Sequence, residues 1–168
     1  MRESIFSRLA VRLDFEGLAV LDIFAGSGSL GLEALSRGAA HATFIDSSKA
    51  ATIVIRENLE ALGLAARARI ITNDLHRALP ELSREKKSFG LIFVDAPFAD
   101  DISNQVMQML TALNLVAVDG WVVIRQFKRA PEAPSAPAGF EQFKVAIIGD
   151  HRIAYYRRPL VGTEATSG

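Results

Sequence analysis

The chain has 168 residues, 49% of them apolar and 23% charged, with 19 basic side chains against 19 acidic ones. That is the length of one domain with enough apolar surface for one core. No apolar run approaches the ~18 residues of a membrane span, and the first residues lack the basic-then-apolar pattern of a secretory signal, so a cytoplasmic protein with no membrane partner is expected. The absence of cysteine removes disulfides, thiolate zinc ligands and the Cys adduct by which pyrimidine C5 is commonly methylated. His41, His76 and His151 are scattered without metal-ligand spacing, so no metal is expected.

From Glu3 to Leu13, apolar residues at Ile5, Phe6, Leu9, Ala10 and Leu13 follow helical spacing. Ala19 to Phe24 is a short apolar run before glycines, which predicts a buried strand. Leu30 to Arg37 reads as a helix stopped by Gly38. A second strand is expected at Ala42 to Ile45. Ser47 or Ser48 then caps a helix running to Leu62, with Ala51, Ile55, Leu59 and Leu62 on its inner face and Gly63 ending it. Ala68 to Thr72 is a third strand, followed by a short helix through Leu79 and Leu82 and a polar loop from Ser83 to Ser88. Leu91 to Val94 is a fourth strand, ending at Asp95. Ser103 is expected to cap a helix that turns Val106, Met107, Leu110 and Leu113 inward, and Trp121 to Arg125 forms a fifth strand. The prolines between Ala130 and Gly139 predict a loop. Phe140 to Ile148 and Arg152 to Arg158 read as an antiparallel pair joined at Gly149-Asp150, and residues 161–168 as a flexible tail.

Alternating strands and helices predict a doubly wound α/β fold with a mostly parallel sheet. Ligands of such sheets bind beyond the carboxyl ends of the strands. The first such end carries Gly26-Ser27-Gly28-Ser29-Leu30-Gly31, a GxGxxG turn between strand and helix. It lets backbone approach a nucleotide-type cofactor closely, or merely packs the helix on the sheet. Asp46, twenty positions after Gly26, can accept hydrogen bonds from a ribose or cap the next helix. Those two features suit NAD and S-adenosylmethionine alike. Asp22 separates them: a carboxylate beneath the loop repels a pyrophosphate and attracts a sulfonium and an ammonium. Asp74, beside Asn73, either faces an adenine amine or caps the helix that begins near His76.

The fourth strand delivers Asp95-Ala96-Pro97-Phe98 to the same edge. A side-chain carboxylate and a main-chain carbonyl can accept both N–H bonds of an aryl amine, while an aromatic ring stacks the flipped base. Such catalysis is positioning plus charge stabilisation, with no strong base. The bland alternative is that Asp95 ends a strand and Phe98 fills the core.

The sequence resembles the RsmD family, the 16S ribosomal RNA guanine 2-amino methyltransferases. The likeness rests on Arg2-Glu3-Ser4-Ile5-Phe6, on Leu21 through Ala39, and on Phe93-Val94-Asp95-Ala96-Pro97-Phe98. It implies a Rossmann-like class I methyltransferase sheet of seven strands with a C-terminal antiparallel hairpin, over a single domain at residues 1–160. It also implies a cofactor site at Phe24, Gly26, Ser27, Gly28, Asp46 and Asp74, to which the reading above adds Asp22 and Asn73, and a target-base site at Asp95 to Phe98. The implied cofactor is S-adenosylmethionine, the implied partner 16S rRNA or the small ribosomal subunit, and a monomer is expected. The family has Asp-Pro-Pro-Phe or Asp-Pro-Pro-Tyr where this chain has Ala96; alanine keeps the carbonyl and gives up the ring's rigidity. The family pattern also places a basic, glycine- and arginine-rich segment ahead of the first helix, where phosphate-binding charge would lie. Arg125, Lys128 and Arg129, and Arg84, Lys86 and Lys87, are smaller clusters that touch phosphate or simply face water. The competing readings are an NAD-dependent oxidoreductase and a diverged, non-catalytic S-adenosylmethionine-binding paralogue.

Overall fold

The structure, a computed structural model, describes residues 1–95, 101–130 and 132–160. They fall into two compact units, Met1–Ala78 and Leu79–Gly168.

In the first unit, α1 (Arg2–Ala10) buries Ile5, Phe6 and Leu9 on one stripe. It ends three residues before the expected Leu13. The amides of Arg12 and Leu13 both turn back onto the Leu9 carbonyl, at 2.9 and 2.8 Å. That turn brings Phe15 against Phe6, with ring centroids 5.5 Å apart, and Arg37 lies over both rings at 5.1 and 5.8 Å. Aromatic burial therefore outweighs continuation of the helix. β1 (Ala19–Ile23), α2 (Ser29–Ser36), β2 (His41–Asp46), α3 (Lys49–Ala61), a 3-10 turn at Ala65–Arg67 and β3 (Ala68–Thr72) follow. β2 pairs in parallel with both β1 and β3 and sets Asp22 opposite Phe44 and Asp46 opposite Thr72. Ser48 is the cap of α3, its hydroxyl accepting from the Ala51 amide at 3.2 Å. Ile55 and Leu59 are buried as expected; Leu62 is 58% exposed, because the helix has ended and Leu62 stands at its C-cap.

α4 (Leu75–Arg84) runs from one unit into the other and carries Pro80. It takes up Ser83 and Arg84, which the sequence placed in a loop. Ser83 is held there because its hydroxyl donates to the Leu113 carbonyl at 2.9 Å. In the second unit, β4 (Phe89–Asp95) pairs in parallel with β5 (Val116–Phe127). α5 (Ile102–Ala112) lies between them in the chain and is preceded by Asp101, so Ser103 is not the cap. Ser103 sits one residue inside the first turn, 2% exposed, and its hydroxyl has no partner among the described residues. β5 starts five residues before the expected Trp121, hidden by a kink. Asp119 adopts φ 65°, its amide donates to the Arg158 carbonyl at 2.7 Å, and its carboxylate pairs with Arg157. At Gly120 a Cβ would lie 2.7 Å from the Ala117 carbonyl oxygen, so only glycine fits the turn of the strand. β6 (Glu141–Ile148) and β7 (His151–Arg157) form the expected antiparallel hairpin around Gly149, and β7 also pairs antiparallel with β5.

The strands make one seven-stranded sheet in the order β3-β2-β1-β4-β5-β7-β6. This is the mostly parallel, Rossmann-like sheet of seven strands with a terminal antiparallel hairpin that the resemblance implies. No helix among the described residues is long and apolar enough to cross a membrane. The tail expected at residues 161–168 and the motif residues Ala96, Pro97 and Phe98 lie outside the described residues.

Candidate active site

The glycine loop in the first unit is built by three different demands on glycine. Phe24, Gly26 and Gly28 all adopt positive φ, of 58°, 59° and 81°, turning the chain sharply off the end of β1. At Gly31 the demand is space: a Cβ there would lie 2.4 Å from Phe44 Cε1 and 3.2 Å from Asp22 Oδ2. Gly28 is tight as well, with Phe44 and Ile55 carbons at 3.2 and 3.3 Å from a built Cβ. Gly26, by contrast, has nothing within 4 Å on that side. Gly28 and Gly31 thus seat α2 on the sheet, while Gly26 leaves backbone open to a ligand.

Two carboxylates pin this loop. Asp46, at the end of β2, accepts from the Gly26 amide through Oδ2 and from the Ser48 amide through Oδ1, both at 2.9 Å. Asp22 is 1% exposed and accepts from the Gly31 amide at 3.0 Å. That amide belongs to the first turn of α2, whose N–H groups lack intrahelical acceptors and favour negative charge. Asp22 is therefore an anchor for the start of α2 beneath the loop, a duty that the charge argument from sequence did not include. Asn58 of α3 was not singled out in the sequence; its amide donates to the Ser27 carbonyl at 3.1 Å and ties the loop's outer bend down. Its signal would have been a polar residue beside the buried Ile55 and Leu59 stripe.

Asn73 and Asp74 sit past β3 at the head of α4. The Asn73 side chain accepts from the Asp74 amide at 2.8 Å, and Asp74 accepts from the His76 amide at 2.7 Å. His76 Nδ1 lies 2.8 Å from the same Asp74 oxygen. The backbone amide and then the side chain of His76 hold the Asp74 carboxyl below the usual carboxylate range. The helix-capping alternative is thus realised, and the residue's other carboxylate oxygen stays on an exposed side chain.

In the second unit Asp95 ends β4, and its carboxylate is gripped by Arg125 of β5. Nε donates to Oδ1 at 2.8 Å and Nη2 donates to Oδ2. Each side chain is 30% exposed. The sequence offered Arg125 as a phosphate contact; the structure spends its fork on Asp95. The signal was obscured because it requires the β4–β5 register, in which Asp95 lies opposite Arg125. Lys128, Arg129, Arg84, Lys86 and Lys87 are exposed.

The donor set around the loop fits S-adenosylmethionine better than a dinucleotide. Asp46 suits the ribose of either cofactor, whereas Asp22 sets a buried carboxylate beneath the loop that opposes a pyrophosphate. A sulfonium and an α-ammonium are attracted by that charge.

Residues 1–157 match the family model described as "Conserved hypothetical protein 95". "Ribosomal RNA small subunit methyltransferase D" of Escherichia coli (strain K12) is 31% identical over 163 residues, covering 96% of this chain and 78% of that protein. The chain belongs to the RsmD family. "Putative rRNA methyltransferase YlbH" of Bacillus subtilis (strain 168) is 31% identical over 158 residues, covering 94% of this chain and 84% of that protein. Among solved structures, a conserved hypothetical protein of Streptococcus pyogenes superposes with a TM-score of 0.83 at 29% identity, over 94% of this chain and 95% of that one.

Proposed function

We propose that this RsmD-family chain transfers a methyl group from S-adenosylmethionine to the exocyclic 2-amino group of a guanine in 16S ribosomal RNA. The observation that carries the reading is Asp95: a part-exposed carboxylate, held in a defined plane at the end of β4, heading the family's aryl-amine motif. The naming of its E. coli relative as a small-subunit rRNA methyltransferase supports the choice of substrate.

In this reading Phe24, Gly26, Ser27 and Gly28 hold the donor, with Asp46, Asn73 and Asp74 toward its nucleoside end and Asp22 as negative charge beneath the loop. The donor supplies a methyl group on a sulfonium. Asp95 and the Ala96 carbonyl accept the two N–H bonds of the target amine, and Pro97 and Phe98 shape the seat of the flipped base. Accepting both protons concentrates the nitrogen lone pair on the face turned to the methyl group. Once alkylated, the nitrogen is acidic enough to lose a proton to water without a dedicated base.

The test supplies the protein and labelled donor to small subunits from a strain that lacks its own family member, and maps the modified base. A single guanine N2 mark is expected, with Asp95→Ala lowering the rate at least about 100-fold, the cost of losing a positioning contact in the transition state. A mark on another base, or an Asp95→Ala variant as fast as the parent, defeats the proposal.

A further inference from the structure

The grip of Arg125 on Asp95 joins two strands at the end of β4. β4 and β5 are parallel with Asp95 opposite Arg125, so both side chains leave the same face of the sheet. A part-buried, two-pronged pair, 30% exposed on each side, adds some stability to the fold. The fork also supplies geometry. A carboxylate offers about four lone-pair sites, and a two-pronged guanidinium takes one on each oxygen. The terminal torsion of an aspartate is otherwise broad and roughly two-fold. With Arg125 in place, the plane of the carboxylate is set, and the remaining lone pair on each oxygen points in a fixed direction.

We propose that Arg125 is a positioning residue for methyl transfer: it orients the Asp95 carboxylate so that its remaining lone pairs meet the N–H of the target amine. The inference rests on the reading of Asp95 as the acceptor for that amine. It also explains why an arginine stands here. A lysine ammonium is a point charge that can neutralise Asp95 without fixing its plane.

The experiment measures methylation of undermethylated small subunits by Arg125→Met, Arg125→Lys, Asp95→Asn and the Arg125→Met/Asp95→Asn double variant. S-adenosylhomocysteine affinity by calorimetry and thermal unfolding are measured alongside. Arg125→Met is expected to lower kcat about 10- to 100-fold, the scale of a misplaced reactive contact, with KM and S-adenosylhomocysteine affinity within about twofold of the parent. Arg125→Lys should recover less than half of that loss. In the Asp95→Asn background, removing Arg125 should cost less than about threefold, because a residue that acts only through Asp95 has nothing further to lose. Arg125→Met at the parent kcat while Asp95→Asn is crippled overturns this inference and leaves the proposed reaction standing. Equal losses of kcat in both backgrounds, with lowered unfolding temperature and weakened S-adenosylhomocysteine binding, overturn it in favour of a structural ion pair. Full activity of Asp95→Asn, whose amide keeps one acceptor oxygen but cannot take the two-pronged grip, overturns this inference alone, and full activity of Asp95→Ala overturns the proposed reaction and the inference together.

Discussion

Gly31 and Gly26 occupy one motif yet answer to different forces, and substitution separates them. At Gly31 the limit is the ring of Phe44, which is fully buried and cannot swing aside. A methyl group there is overpacking, which costs about 1–3 kcal/mol. At Gly26 there is room for a methyl group, and the limit is the positive φ of 59°, which costs an alanine about 1–2 kcal/mol. Gly31→Ala is therefore expected to lower the urea midpoint at least as far as Gly26→Ala. It should also push α2 outward, weakening the Gly31 amide's bond to Asp22 and donor affinity with it. A Gly31→Ala protein with the parent's midpoint would show that the third glycine of the motif is not there for packing.

At the scale of elements, the first unit was the more legible in sequence, and the reason is local. The β1 turn, Asp46 and the Ser48 cap are specified by residues within a few positions of their partners or by the standard spacing of the βαβ unit. The second unit depends on pairings between distant segments. The kinked start of β5 needs Asp119 against Arg157, thirty-eight positions away, and the Asp95 site needs Arg125, thirty positions away. No periodicity announces either. Ser103 misled for a related reason: serine is a good cap, but Asp101 had already taken the position. The closing hairpin was visible through Gly149-Asp150; what fixes it to the proline-rich connection was not. Tyr156 of β7 is fully buried, and its hydroxyl donates to the Pro134 carbonyl. Burial pushes its phenol above the ordinary tyrosine value, opposed by a hydrogen bond from Gln142. Tyr156→Phe would leave the Pro134 carbonyl with only the Gln142 amide, 3.4 Å away. A loss of about 1 kcal/mol, or about 2–4 °C in melting temperature for a chain of this size, is expected in a thermal scan. An unchanged melting temperature would mean that the connection is held by other contacts.

For the molecule as a whole, charge is the property that bears most on an RNA substrate. The balance of 19 basic and 19 acidic side chains gives no general attraction for a polyanion, so affinity must come from local clusters. Arg125 is committed to Asp95; of the clusters that the sequence offered, Lys128 and Arg129 after β5, and Arg84 at the end of α4 with Lys86 and Lys87 just beyond it, are exposed. For single-stranded RNA each neutralised phosphate steepens the fall of log K with log salt by about 0.7, so these five together contribute a slope of about −3.5. Lys128 and Arg129 follow directly on the strand that carries Arg125, and these two are expected to meet the backbone flanking the target base. The Lys128→Ala/Arg129→Ala variant should then bind a small-subunit RNA fragment more weakly at low salt, with a slope shallower by about 1.4, and converge with the parent as salt rises. Filter binding between 50 and 300 mM KCl reads this out. Parallel lines for parent and variant would move the phosphate contacts elsewhere, and a parent slope well beyond −3.5 would mean that cations outside these two clusters take part in the RNA interface.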